Sequence, residues 1–186
     1  MVDAQRLMDL VNSKEFGKEF ADLNWTGSFR DYLGLVIERP EVARTAFQRM
    51  YDMIMGYGTR TYTEYKKEIT HYTFFDDPMD NGKDAIFGLD VHLQKLVLVF
   101  KAGAQRYGPE KRVILLHGPV GSSKSTIARL LKRGLAEYAR TDEGMLFSYA
   151  WKGPDGTWLK DPMHGEPLFL IPKDMRPRIV AQLIAG

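Results

Sequence analysis

The residues best suited to chemistry in this sequence stand together, in Gly118-Pro119-Val120-Gly121-Ser122-Ser123-Lys124-Ser125. Glycines at 118 and 121 allow a bend whose backbone N–H groups point inward at one anion. A lysine followed by a hydroxyl is the pair that takes phosphate oxygens and a divalent cation. The apolar run Val113-Ile114-Leu115-Leu116 comes before the bend, and Thr126-Ile127-Ala128-Arg129-Leu130-Leu131 follows it. That order predicts strand, glycine loop and helix, the context in which a P-loop works. The new helix adds unpaired amides and the positive end of its dipole. On this reading residues Gly118 to Thr126 line a phosphate cradle. Lys124 reaches the β- and γ-phosphates of ATP, and the Ser125 hydroxyl ligates Mg²⁺.

One position departs from the pattern G-x-x-x-x-G-K-[ST]: Ser123 stands where the second glycine belongs. A Cβ there requires a helix-like φ, so the turn is expected to rest mainly on Gly121. The remaining candidates carry less. His71 has no spaced partner and is not expected to ligate a metal. Asp76-Asp77-Pro78-Met79-Asp80-Asn81-Gly82 has carboxylates enough for a cation, but lacks the twelfth-position glutamate of an EF-hand and reads as a solvated loop. Arg129, Lys132 and Arg133 read as a solvated helix face. Met50, Met53 and Met55 read as core filling. Tyr57, Tyr62, Tyr65 and Tyr72 read as packed surface rather than a base-stacking series.

The elements that must position the bend follow from periodicity. Residues 1–23 form a helical lead, with Leu7, Leu10 and Val11 on one face. Ser28 caps a helix from Phe29, with Asp31 as the reciprocal partner, and Pro40 opens the next. A helix from about Glu41 to Met55 ends at Gly56-Tyr57-Gly58. Thr70–Phe75 reads as a strand, and residues 91–106 as a helix with Leu93, Leu96, Val97 and Phe100 inward. Met145–Trp151 reads as a second strand after the P-loop helix, joined to Thr157-Trp158-Leu159 through Gly153-Pro154-Asp155-Gly156. Pro167–Pro172 reads as a third strand, and residues 178–185 as a last helical stub.

The 186 residues are 44% apolar and 27% charged, globular values with room for a core. A net charge of +2 is too small to argue for nucleic acid or an anionic membrane surface. Without cysteine there is neither a disulfide framework nor a thiolate metal site. No signal peptide or membrane-length apolar run is visible, so a cytoplasmic location is expected.

The sequence does not display a complete catalytic centre. An ATPase needs an acidic residue at the end of an apolar strand and a group that orients water. The apolar runs here end in Pro172 or in Trp151-Lys152, and neither the H-R-D nor the D-F-G string of protein kinases occurs. The catalytic residues are therefore unknown, and the chain reads as the N-terminal piece of a longer protein.

The run Asp84-Ala85-Ile86-Phe87-Gly88-Leu89-Asp90, the helix into Gln105-Arg106-Tyr107-Gly108, and Leu115-Leu116-His117 through Ser125-Thr126-Ile127 with Arg140-Thr141-Asp142-Glu143-Gly144 resemble the bacterial PrkA serine protein kinase family. The resemblance implies an AAA-type P-loop domain, in which Ser123 is an ordinary occupant and Phe87-Gly88 sits beside the adenine. It also implies a protein substrate for the full-length protein and homo-oligomer formation with a neighbour's arginine finger. The fold expected is α/β: a helical N-terminal segment over 1–70, then an incomplete three-layer P-loop domain over 71–186 with a mostly parallel sheet. The function expected is ATP binding within a PrkA-like serine protein kinase. The alternatives are a AAA remodelling or protease-linked ATPase, and a non-enzymatic module gated by nucleotide.

Overall fold

A computed structural model describes residues 25–178, arranged in two compact units. One comprises the described parts of 1–39 and 169–186; the other is 40–168. The helical lead over 1–23 and all but the first residue of the stub over 178–185 lie outside the described residues.

In the first unit, α1 (Phe29–Glu38) begins where Ser28 and Asp31 cap each other. Asp31 N donates to Ser28 Oγ (3.3 Å) and Ser28 N donates to Asp31 Oδ2 (2.8 Å). Asp31 therefore does the work of the Glu or Gln of a capping box. The expected strand Pro167–Pro172 is instead a 3₁₀ turn over Pro167–Leu170. Prolines at both ends remove ladder donors. Arg176, whose guanidinium lies 5.1 Å from the Phe169 ring centroid, donates to the carbonyls of Ile171 (2.8 Å) and Phe169 (3.1 Å).

The second unit opens on a 3₁₀ turn, Pro40–Ala43, and then α2 (Ala46–Gly56), which Thr45 and Gln48 cap reciprocally. The predicted helix from Glu41 is therefore two pieces. Residues 59–72 depart from the helical expectation for 1–70. They form a hairpin of β1 (Thr59–Glu64) and β2 (Lys67–Tyr72), paired from Thr59↔Tyr72 to Glu64↔Lys67. Alternating threonines favour the extended chain. Tyr65 and Lys66 both take positive φ (47° and 63°) in the two-residue turn. That geometry fits the twist of a tight hairpin, and the usual Asn-Gly signal for it is absent.

Thr73–Asp76 and Pro78–Asp80 are 3₁₀ turns, followed by α3 (Asp90–Ala104) and α4 (Lys124–Tyr138). One core joins them: Met53 and Ile54 of α2, Phe74 and Phe75, Ile86, Leu93, Leu96, Val97 and Phe100 of α3, and Ile127 and Leu130 of α4. The helix spacing of these apolar positions is what the sequence displayed.

The sheet differs most from expectation. Among the described residues there are two sheets, both two-stranded and antiparallel: β1–β2, and β3 (Ala150–Lys152) with β4 (Trp158–Lys160). The run 113–116 has no ladder partner, with Val113 94% and Leu115 81% exposed. A strand of a parallel sheet is hydrogen-bonded at its edges and covered on both faces. The other strand expected to join it, 145–151, forms ladder pairs only from Ala150 onward and spends them on β4. No helix among the described residues is long and apolar enough to cross a membrane.

Candidate functional site

The bend 118–123 runs directly into α4. Gly121 has φ +83°, as its lack of a side chain permits. Ser123, the N-cap of α4, has φ 56° and ψ 12°. This is the left-handed region, not the helix-like φ expected for a residue carrying Cβ, and it costs about 1 kcal/mol for a non-glycine. The chain accepts that strain to turn twice within three residues. At Gly118 a Cβ would lie 2.8 Å from Ser122 Oγ, so the loop closes tightly on that glycine.

Few polar groups of the bend are used by the protein itself. Ser122 donates through N (3.4 Å) and Oγ (2.8 Å) to the Pro119 carbonyl. Lys124 Nζ donates to the same carbonyl and to Ser122 Oγ (3.0 Å). Ser123 O accepts from Ile127 N (2.8 Å), the first bond of the helix. Among the described residues no carbonyl takes the amides of Val120, Gly121, Ser123, Lys124, Ser125 or Thr126, and the Ser125 hydroxyl makes no bond to protein. Free amides at a helix N-terminus, beside an ammonium and a hydroxyl, are the donor set a polyphosphate needs. The residues present fit a nucleotide's phosphates with Mg²⁺.

Phe87 and Gly88 lie before α3. Phe87 is 82% exposed and Gly88 has φ +71°. No hydrogen bond or ring contact links either of them to 118–126 among the described residues.

Two readings are corrected by contacts between distant segments. The acidic loop and the basic face of α4 are not solvated separately, because they bind each other. Arg129 donates through Nε (2.9 Å) and Nη2 (2.7 Å) to the two oxygens of Asp84. Arg133 pairs with Asp77, which is fully buried, and with Asp80 (3.2 Å). Asp84 N donates to Asp77 Oδ2 (2.9 Å). The bidentate bond from Arg129 holds the Asp84 carboxyl below the usual carboxylate range. Of the basic residues named on α4, Arg129 and Lys132 are exposed and Arg133 is half-buried. Sequence reasoning missed this cluster. No local pattern signalled it, because these acidic and basic residues lie 45 to 56 positions apart in the chain.

His71 is likewise not isolated. Nδ1 lies 2.8 Å from Asp90 and Nε2 3.0 Å from Asp76. Tyr62 Oη donates to Asp90 (2.8 Å) and Arg60 Nη2 to Asp76 (3.0 Å). Burial opposes the imidazolium, but hydrogen bonds and charge from both carboxylates outweigh it, and its pKa is raised.

Two clefts lie elsewhere, of about 340 and 580 Å³, and neither is lined by the bend. The larger carries Asp52, Glu137, Asp142 and Glu143 and would repel a phosphate. In the smaller, the buried Arg49 guanidinium already donates to the carbonyls of Val42, Arg44 and Gly144.

The family model of the PrkA AAA domain matches residues 27–184. The chain is 39% identical over 171 residues to the "ATP-dependent protease PrkA" of Bacillus subtilis (strain 168), covering 91% of this chain and 24% of that protein. It is 33% identical over 108 residues to an "Uncharacterized protein in gldA 5'region" of Geobacillus stearothermophilus, covering 57% of this chain and 100% of that one. No solved structure matches the chain. The chain thus spans about a quarter of the length of the B. subtilis relative.

Proposed function

Because this chain belongs to the PrkA AAA-domain family, whose fold is of the P-loop NTPase-like α/β type, we propose that it binds Mg-ATP through residues 118–126. The observation that carries this reading is the set of amides left free by the protein at 120, 121 and 123–126, beside the Lys124 ammonium. Gly118 to Thr126 cradle the phosphates. Lys124 exchanges two neutral acceptors for phosphate oxygens, a trade that favours the anion because charge-assisted bonds are the stronger. Ser125 supplies a ligand for Mg²⁺, whose charge screens the phosphates when it is bound. Phe87 and Gly88 form the wall for the base, supported by a ring left open to solvent and a neighbour without a side chain.

The three-layer, mostly parallel sheet expected of such a domain is completed in the longer protein. The exposed side chains of Val113 and Leu115, in a run without a ladder partner, support that. The residues that bind water and finish the magnesium shell would come from further strands of that sheet, and a neighbouring subunit contributes an arginine. For the longer protein we favour ATP-driven handling of a protein substrate linked to proteolysis, because the B. subtilis relative is named as an ATP-dependent protease. Serine phosphotransfer, implied by the resemblance, is the competing reading. Peptide fragments with released ADP would favour the first, and a phosphorylated protein product the second.

Titration calorimetry with Mg-ATP tests the core of the proposal. Lys124→Ala should weaken binding about 10- to 100-fold, the worth of one charge-assisted hydrogen bond. Equal affinity in both forms would remove the P-loop assignment.

A further inference from the structure

We infer that Arg129, acting through Asp84, is a positioning residue that sets the base wall Phe87–Gly88 relative to the phosphate bend. This rests on the nucleotide reading of residues 118–126 and 87–88. Arg129 follows Ser125 by four residues on α4, hence about 6 Å along the axis. Its planar fork grips both oxygens of Asp84, at 2.9 and 2.7 Å, and a bidentate pair fixes direction as well as distance.

The chain around Asp84 has few degrees of freedom left. Asp84 N is bonded to the buried Asp77, which Arg133 holds from the next turn of α4. Two residues on, Ile86 is buried in the core that includes Ile127 and Leu130 of the same helix, and Ile86 N donates to Phe75 O (2.9 Å). Phe87 comes immediately after and is 82% exposed. The segment that carries the open ring is thus held by the helix that begins at Lys124, with Asp84 before it and Ile86 beside it.

Arg129 and Arg133 divide the labour. Arg133 pairs with the fully buried Asp77 and belongs to the fold, and its Nη1 also lies 3.8 Å from Asp84 Oδ2. Arg129 is 58% exposed at its side chain against 16% for Asp84, so the pair is partly screened by solvent and contributes modestly to stability. Its fixed geometry therefore matters chiefly to where residues 84–88 stand.

The test is titration of the full-length protein with two probes, Mg-ATP and inorganic tripolyphosphate. Tripolyphosphate engages the bend but has no base. Arg129→Ala should lower ATP affinity about five- to tenfold, the scale of one aromatic contact, and leave tripolyphosphate within about twofold. Phe87→Ala should do the same, and the two losses together should be less than additive, since both act on one contact. Equal loss for both probes would overturn the inference, because Arg129 would then act on the phosphates through charge. No change for either probe would overturn it as well. Wild-type protein that binds neither probe would remove the nucleotide reading itself, and the inference with it.

Discussion

His71 is held by two carboxylates, Asp76 and Asp90, one at each ring nitrogen. Both nitrogens can donate at once only in the imidazolium form, so the arrangement selects the charged ring. A pKa raised in the folded state makes the contribution fully present below the unfolded value of about 6.5 and lost as pH rises through the folded one. Thermal melts should therefore show the protein losing stability as pH rises above about 6.5, while His71→Gln melts nearly independently of pH across that interval. A wild-type melting temperature that stays flat there would show the ring neutral in place. Ser123 carries the other residue-scale lesson. Its left-handed backbone is a conformation glycine takes freely, and the chain keeps serine there at a cost of about 1 kcal/mol.

α4 works as an element with two faces. One face buries Ile127 and Leu130 and approaches Phe74 and Met53 so closely that Gly134 has no room for a side chain. The other carries Arg129 and Arg133 to the acidic loop. A Cβ on Gly134 would lie 2.5 Å from Phe74 Cε2 and 2.9 Å from Met53 Sδ. Alanine in a helix interior gains about 1 kcal/mol over glycine, whereas overpacking costs about 1–3 kcal/mol. Phe74 is fully buried and fixed against Tyr57 and Phe75, so the clash should win. Gly134→Ala should lose about 1 kcal/mol in urea unfolding, and a gain would mean that the Phe74 ring has space to shift. The β1–β2 hairpin makes the complementary point. Its turn residues Tyr65 and Lys66 are set by strand pairing, not by their own preference for positive φ.

At the scale of the molecule, the unpaired run 113–116 bears on whether a larger sheet is formed. Val113 and Leu115 lie almost wholly in solvent here, and exposed positions tolerate substitution. Val113→Lys with Leu115→Lys should shift the unfolding free energy of this chain by less than about 0.5 kcal/mol. In the longer protein, where the proposed sheet covers them, the same pair should cost several kcal/mol, since each buried aliphatic side chain is worth about 1.5–3 kcal/mol. The same small effect in both would sink the sheet-completion proposal.

Local order was legible in the sequence. The glycine bend, the helix beginning at Lys124, the Ser28–Asp31 cap and the inward faces of α3 and α4 follow from rules that span a few residues. So did the hairpin turn at Gly153–Gly156, whose residues announce it. The tertiary structure alone decided which extended runs find partners and which charges meet. Strand pairing and ion pairing depend on segments separated by tens of residues: Asp84 and Arg129 lie 45 apart, and no local pattern encodes that distance. The run 113–116 has every local mark of a strand, yet a strand is completed only by hydrogen bonds to another chain segment, and the neighbours available to it here pair elsewhere.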